Sequence, residues 1–348
     1  MDQNEGGKPS MEKAKRSLEL TDDESEAVSR LAVPPHRAGA GPSFYEYFAL
    51  RGIQVDRVEP GLVVCTFKVP PHLSDRSGRL ANGAIANLVD EVGGAVVHVE
   101  GLPMNVSVDM CISYMSTAKL HDELEITSRV LGQRGGYSGT IVLMRNKVTG
   151  EVIAEGRHSL FVSIFGKLGA SPYGCGKILY EEKDERKSNM EDAKKCLELT
   201  PDESEAVSRV VVPEIRVGKE PSLYDLFATT GIRVDRVEPG FAVCSFKVPP
   251  RLTDKDGNLS NGAIANLVDV AGASLIYVMG LPMNVSVDMS ISYVSKAKID
   301  DELEITSKRL GQKGGYSGTS VLMRNKATGA IVAEGRHSLF RSPAASKL

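Results

Sequence analysis

The sequence has no tryptophan, and only 5% of its residues are aromatic, so it offers no basic stripe with interleaved aromatics of the kind that holds nucleic acid. Charge of one sign is missing too. Against 42 Lys and Arg stand 45 Asp and Glu, a formal net charge of −3, which gives no general attraction for nucleic acid or an anionic membrane. No apolar run approaches the roughly 20 residues that span a bilayer, and Met1 to Ser10 is polar and acidic, unlike a secretory leader. The five cysteines, Cys65, Cys111, Cys175, Cys196 and Cys244, are odd in number and show no Cys-x-x-Cys spacing. That argues against a disulfide framework or a zinc knuckle and for a reducing interior. The six histidines form no His-Glu-x-x-His and no pair at helical spacing with a carboxylate, so no metal is expected. Gly136-Tyr137-Ser138-Gly139 does not make a Gly-x-Ser-x-Gly elbow, and Gly132 to Gly139 lacks the Gly-x-Gly-x-x-Gly order, so neither that nucleophile nor a dinucleotide cofactor is expected.

What the 348 residues do contain is a repeat. Asn82 to Asp90 reads NGAIANLVD, and the same nine residues recur from Asn261 to Asp269, 179 positions later. The same shift relates MNVSVDM at Met104 and Met283, DELEITS at Asp122 and Asp301, VLMRNK at Val142 and Val321, and AEGRHSLF at Ala154 and Ala333. Each copy has the length of a whole domain. The chain therefore divides into a first domain at 11–168, a linker at 169–189 rich in Gly, Ser, Lys and Glu, and a second domain at 190–348.

Within copy one, Ile85, Leu88, Val89, Val92, Val96 and Val99 recur at three- and four-residue steps, the spacing of a helix with one buried face. Its counterpart uses Ile264, Leu267, Val268, Ala271, Leu275 and Val278. A β-branched run from Gly61 to Val69 precedes the helix. Alternating segments follow it at Asn105 to Ser116, Glu123 to Gly132, Tyr137 to Lys147 and Glu151 to Phe165. Short turn-like separators, Gly135-Gly136 and Thr149-Gly150 above all, predict that consecutive strands pair as antiparallel hairpins. Shorter helices are expected at Leu18 to Leu31 and Ser43 to Leu50. The fold class is α+β: in each copy, one long helix on one antiparallel sheet.

On a wheel of 100° per residue Asp90 lies off the apolar stripe, beside Ala86, Gly93, Gly94 and Val97. Asp269 has the equivalent surroundings of Ala265, Gly272, Ala273 and Ile276. Glycine costs a helix about 1 kcal/mol relative to alanine, so the Gly93-Gly94 pair implies close packing or binding. A helical carboxylate so placed reads equally as a reactive group or as a structural one. At the helix start, Asn82-Gly83 and Asn261-Gly262 place backbone N–H groups at the positive end of the dipole, where they would hold a carbonyl oxygen or be capped by the asparagines themselves.

The order of strand, NGAIANLVD helix, VSVDMCISYMSTAKLHDELEITSRVL and NKVTGEVIAEGRHSLF resembles the hotdog acyl-CoA thioesterases of the phenylacetate-thioesterase and thioesterase-superfamily-member type. The resemblance covers each copy from about Gly61 to Phe161 and from about Gly240 to Phe340. It implies a tandem hotdog in which Asp90 and Asp269 act as general base or nucleophile on an acyl-CoA. It further implies that the N–H groups at Asn82 and Asn261, with Gly83 and Gly262, bind the substrate carbonyl, and that Ser107 and Ser286 orient water. The family's His-Gly-Gly is Ala81-Asn82-Gly83 and Ser260-Asn261-Gly262 here, and its loop Asn is Asp75 and Asp254, which would set a carboxylate near a carboxylate in the substrate site. Both copies hold the whole set, so two active sites are expected. The family's interface sites imply an internal pseudo-dimer of the two copies, with further homodimerisation open.

Two other readings fit parts of the pattern. A non-catalytic acyl-CoA binding module would keep the pocket without needing either aspartate, and a hotdog enoyl-CoA hydratase would want a His/Asp dyad, whereas no histidine lies on the helix flank near Asp90. The chain ends in Ser346-Lys347-Leu348, a tripeptide read by the peroxisomal import receptor, which makes the peroxisome the expected location and the cytosol the second choice. Gly166-Lys167-Leu168 at the end of copy one reads as an inert remnant of the same tripeptide.

Overall fold

The computed structural model describes Leu18 and residues 43–98, 105–134, 136–162, 190–202, 205, 222–276 and 284–341. The linker, the C-terminal tripeptide and all of the expected Leu18 to Leu31 helix except Leu18 lie outside these residues. Copy one runs α1 (Phe44–Leu50), β1 (Ile53–Glu59), β2 (Leu62–Lys68), α2 (Asn82–Ala95), β3 (Asn105–Tyr114), β4 (Glu123–Arg134), β5 (Tyr137–Asn146) and β6 (Val152–Val162). Copy two runs α3 (Met190–Leu197), α4 (Leu223–Thr229), β7 (Ile232–Glu238), β8 (Phe241–Lys247), α5 (Asn261–Ser274), β9 (Val285–Tyr293), β10 (Glu302–Lys313), β11 (Tyr316–Asn325) and β12 (Ile331–Phe340).

Local chemistry sets the short helices. Ser43 accepts from the Glu46 N–H while Glu46 accepts from the Ser43 N–H, a capping box that starts α1, and Ser222 with Asp225 does the same for α4. The expected apolar stripe is the buried face of the long helix: Ile85, Leu88, Val89, Val92 and Val96 are buried, as are Ile264, Leu267, Val268, Ala271 and Leu275. Gly93 has the packing reason its composition implied. A Cβ there would stand 3.0 Å from His158 Nδ1 and 3.2 Å from Thr140 Oγ1, so the glycine lets the helix lie directly on β5 and β6.

The strands form one twelve-stranded sheet in the order β1-β2-β4-β5-β6-β3-β9-β12-β11-β10-β8-β7. Two sequence expectations are corrected by this topology. A strand, β1, precedes the one expected at Gly61. The expectation that consecutive strands always pair also fails for β3, which lies between β6 and β9 rather than beside β4, because the β2–β4 pairing closes off that neighbour. The β3–β9 pairing joins the copies, and in it Cys111 faces Ser290, its own equivalent 179 residues later, so a pseudo-two-fold axis passes between them. The helices α2 and α5 pack against each other and against the strands of the sheet. Gly83 and Gly262 are the points of closest approach: a Cβ on Gly83 would sit 2.4 Å from Asn266 Oδ1, and one on Gly262 would sit 2.4 Å from Asn87 Oδ1.

Candidate active site

The pseudo-symmetry brings the candidate residues into two clusters, each drawn from both copies. In the first, α2 supplies Asp90, β3 supplies Ser107, and the first residue of α5 supplies Asn261. Ser107 Oγ donates to Asp90 Oδ1 at 2.8 Å. Asn261 Nδ2 donates to Ser107 Oγ at 2.9 Å and shares its other hydrogen between the two Asp90 oxygens at 3.3 Å each. The second cluster repeats this with Ser286 Oγ to Asp269 Oδ1 at 3.0 Å, and Asn82 Nδ2 to Ser286 Oγ at 2.8 Å and to Asp269 Oδ2 at 3.4 Å. Ser107 and Ser286 each sit beside a bulge, where two residues of the strand face one of its neighbour, and the bulge turns the hydroxyl to the helix.

A fourth member was not foreseen. His158 Nε2 lies 2.9 Å from Ser107 Oγ and 3.2 Å from Asp90 Oδ1, and His337 Nε2 lies 2.8 Å from Ser286 Oγ and 3.2 Å from Asp269 Oδ1. No histidine lies on the helix flank near Asp90, but the ring arrives from β6 in the sheet, a route that the helix pattern did not consider. The signal lay in the repeated AEGRHSLF: along β6, Ala154, Gly156, His158 and Leu160 alternate into the core.

Donor accounting fixes the protonation of this cluster. Ser107 Oγ has one hydrogen, given to Asp90, and two lone pairs, one of them taken by Asn261. His158 Nε2 must then be a donor to it, which leaves Nδ1 as the bare nitrogen. Among the described residues Nδ1 is buried with no hydrogen-bond partner of ordinary distance and angle in either histidine. Protonating it would strand a cation against Gly93 or Gly272, and burial accordingly lowers both imidazole pKa values below the ordinary 6.5, only partly opposed by Asp90 or Asp269. The histidines are neutral, fixed donors. Their side chains are 0% exposed against 14% for Asp90 and 19% for Asp269, so water meets the carboxylates and not the imidazoles. Asp90 Oδ1 takes the serine and histidine contacts, and among the described residues Oδ2 has only the long Asn261 contact.

Other expected site residues are placed differently. Ala81 and Ser260 are the N-caps and no side chain caps either helix, so Asn82 and Asn261 do not cap their own helices but reach into the opposite copy's cluster. Gly83 and Gly262 are buried at the helix crossing. Asp75 and Asp254 hold their own turns: Asp75 Oδ1 accepts from Ser77 N and Arg79 N at 2.8 and 3.0 Å, and Asp254 Oδ1 accepts from Asp256 N and Asn258 N at 2.9 and 2.8 Å. Among the described residues no hydrogen bond joins either aspartate to the clusters. Asp254 acts on two other carboxyls, Glu46 and Glu91; the pKa of Glu91 is raised first by burial, then by Asp90, Glu46 and Asp254.

Comparison with known proteins places this arrangement. The sequence model of the thioesterase superfamily matches residues 77–137 and 256–313, once in each copy and across both helices that carry the aspartates. The acyl-coenzyme A thioesterase 13 of Homo sapiens is 43% identical over 101 residues, covering 29% of this chain and 72% of that protein, and the Mus musculus protein of the same name is 41% identical over the same length. Among solved structures, a protein with a hot dog fold from Alicyclobacillus acidocaldarius matches with a TM-score of 0.54 at 12% identity, over 85% of this chain and 98% of that one. The tesB protein of Mycobacterium avium subs paratuberculosis matches with a TM-score of 0.52 at 13% identity, over 83% and 96%. These two likenesses extend over both copies and concern the fold, which is the tandem hotdog. With one relative 43% identical over most of its own length and the superfamily's sequence pattern present twice, the chain belongs to the thioesterase superfamily.

Proposed function

We propose that the chain hydrolyses acyl-CoA thioesters to free acid and CoA at two sites, each assembled from both copies. The observation that carries this reading is the cross-copy contact: Asn261 of copy two donates to both Asp90 and Ser107 of copy one, and Asn82 does the same for Asp269 and Ser286. The family relationship supplies the substrate class. The geometry supports general-base rather than nucleophilic use of the aspartate, because Oδ1 is held by serine and histidine while Oδ2 is open to a water molecule. In this reading the water oxygen forms the new bond to the thioester carbon as its proton passes to Asp90 Oδ2. The uncapped N–H groups at the start of α5 stabilise the negative charge that develops on the carbonyl oxygen. The C–S bond then breaks, and the departing thiolate takes the proton from Asp90.

His158 does not move a proton in this scheme; it holds Ser107 and Asp90 in register. The same argument disfavours a hydratase, which needs an imidazole that reaches substrate. The test uses variants that fold, as judged by thermal unfolding. Asp90→Asn with Asp269→Asn should lower kcat at least about a hundredfold, the usual scale for a general base. Asp90→Asn with Asn261→Leu damages one site twice and should leave about half of wild-type turnover, whereas Asp90→Asn with Asn82→Leu damages both sites and should leave almost none, if distant sites act independently. A folded double aspartate variant with normal turnover would take the aspartates out of the reaction, and a wild-type chain that binds acyl-CoA without releasing thiol would be a binding module. The reverse outcome of the asparagine pairs would sink the composite sites.

A further inference from the structure

Two half-buried tyrosines place their hydroxyls at the edge of the clusters. Tyr114 OH donates to the carbonyl oxygen of Asn82 at 3.4 Å, and Tyr293 OH donates to that of Asn261 at 3.4 Å. Neither tyrosine belongs to the apolar pattern from which the helix was read. Their place in the sheet is set by the junction between copies. Asp109 on β3 faces Ser292 on β9, so Tyr293, the next residue, comes level with the bulge that turns Ser107 to the helix. By pseudo-symmetry Ser113 faces Asp288, and Tyr114 comes level with the bulge beside Ser286. Each tyrosine therefore belongs by sequence to one copy and by location to the active site whose aspartate is on the other.

The electrostatics agree with this placement. Both phenols are held protonated, first by burial and then by the carboxylate they approach, Asp269 for Tyr114 and Asp90 for Tyr293. A hydroxyl that stays protonated stays a donor. Its acceptor, the carbonyl of the first helical residue, already receives the N–H four residues on, so the phenol is not needed to satisfy the backbone. What a second donor adds is orientation. It fixes the rotation of the first helical residue, whose side chain must reach across to Asp and Ser and whose N–H is one of the uncapped donors.

We infer that Tyr293 and Tyr114 are positioning residues, Tyr293 holding Asn261 against Asp90 and Ser107, and Tyr114 holding Asn82 against Asp269 and Ser286. The inference rests on the base role proposed for the two aspartates. A merely structural tyrosine would act on both sites alike, which gives the test its form. Two single-site chains are made, Asp269→Asn, in which only the Asp90 site works, and Asp90→Asn, in which only the Asp269 site works. Each then receives Tyr293→Phe or Tyr114→Phe, which keep the ring and remove only the hydroxyl.

In the Asp269→Asn chain, Tyr293→Phe should lower kcat at least about fivefold more than Tyr114→Phe does, with KM for the acyl-CoA changed less than twofold. In the Asp90→Asn chain the ratio of the two effects should invert. Equal effects in both backgrounds, or a loss that follows the melting temperature, would reduce the tyrosines to core residues and overturn the inference. Failure of the base reading is separately visible, because the parent chains would then keep full rather than half activity and the double aspartate variant would remain active.

Discussion

Replacing Gly83 by alanine should push the two central helices apart and damage the active sites without changing any side chain of the two clusters. The added Cβ would lie 2.4 Å from Asn266 Oδ1, 2.6 Å from Tyr224 OH and 2.8 Å from Asn266 Cβ. Rotating the Asn266 carboxamide away clears the first contact but not the third, since Cβ does not move with the side-chain torsion. Carbon atoms pack at about 3.5 Å or more, so α2 and α5 must separate by at least about 0.7 Å at the crossing. The interior is close-packed and cannot absorb that locally, and overpacking of this kind costs about 1–3 kcal/mol. The same displacement would stretch the 2.8 Å contact between Asn82 Nδ2 and Ser286 Oγ to about 3.5 Å, where little hydrogen bonding remains. Thermal unfolding should fall by several degrees, and thiol release from an acyl-CoA should fall at least about tenfold, with Gly262→Ala giving the mirror result against Asn87. A Gly83→Ala protein with wild-type stability and turnover would refute both the helix contact and its coupling to the sites.

Two further expectations concern protons. Burial depresses His72 from 6.5 to about 4, and its ring contacts the Phe48 carbonyl at 2.8 Å, so the unfolded chain binds a proton in this window that the folded chain refuses. Its contribution is complete above pH 6.5 and is lost as pH falls towards 4, an acid sensitivity of about 3 kcal/mol. Arg251 fills the equivalent place in copy two and donates to the Phe227 carbonyl, so His72→Arg should remove that part of the pH dependence in urea titrations at pH 4 and pH 7. Glu91 has the opposite sign: its folded pKa is raised, so it stays neutral in the folded chain and lowers stability progressively as pH rises from about 4.5 through that raised value. Glu91→Val, which installs the copy-two residue Val270, should melt a few degrees above wild type at pH 8 and lose that advantage at pH 4; a gap independent of pH would contradict the buried carboxyl.

The parts of the fold legible in the sequence were those with a short period. The stripe from Ile85 to Val96 repeats every three or four residues, and the hairpins at Gly136 and Gly150 carry turn residues at positive φ, so helix and hairpins declare themselves locally. β1 was hidden because its apolar residues, Ile53, Val55 and Val58, are two and then three apart, and the structure has a bulge between Val55 and Arg57 that breaks the alternation. The place of β3 beside β6 and β9 was not readable, since nothing local marks a pairing between strands with two others intervening. His158 followed the same limit: it stands 68 residues from Asp90 and meets it only because β6 and β3 are neighbours. For Asp75 and Asp254 the local signal was available, an Asp-x-x-Gly turn in each copy whose N–H groups donate to the carboxylate.

The arrangement explains why fusing two copies preserves both rather than freeing one to change. Each cluster takes an aspartate, a serine and a histidine from one copy and an asparagine from the other, so neither copy holds a complete site. One copy alone would also leave β3 as an open edge, a row of unpaired N–H and C=O groups that β9 covers in the tandem chain. The helix α2 serves both clusters at once. Its first residue, Asn82, reaches the Asp269 cluster, and Asp90, about two turns and 12 Å further on, is the centre of its own. Any shift of α2 along its axis therefore moves a donor of one site and the carboxylate of the other by the same amount. A displacement of either helix therefore acts on both reactions, whereas a side-chain change confined to one cluster leaves the other cluster's contacts in place.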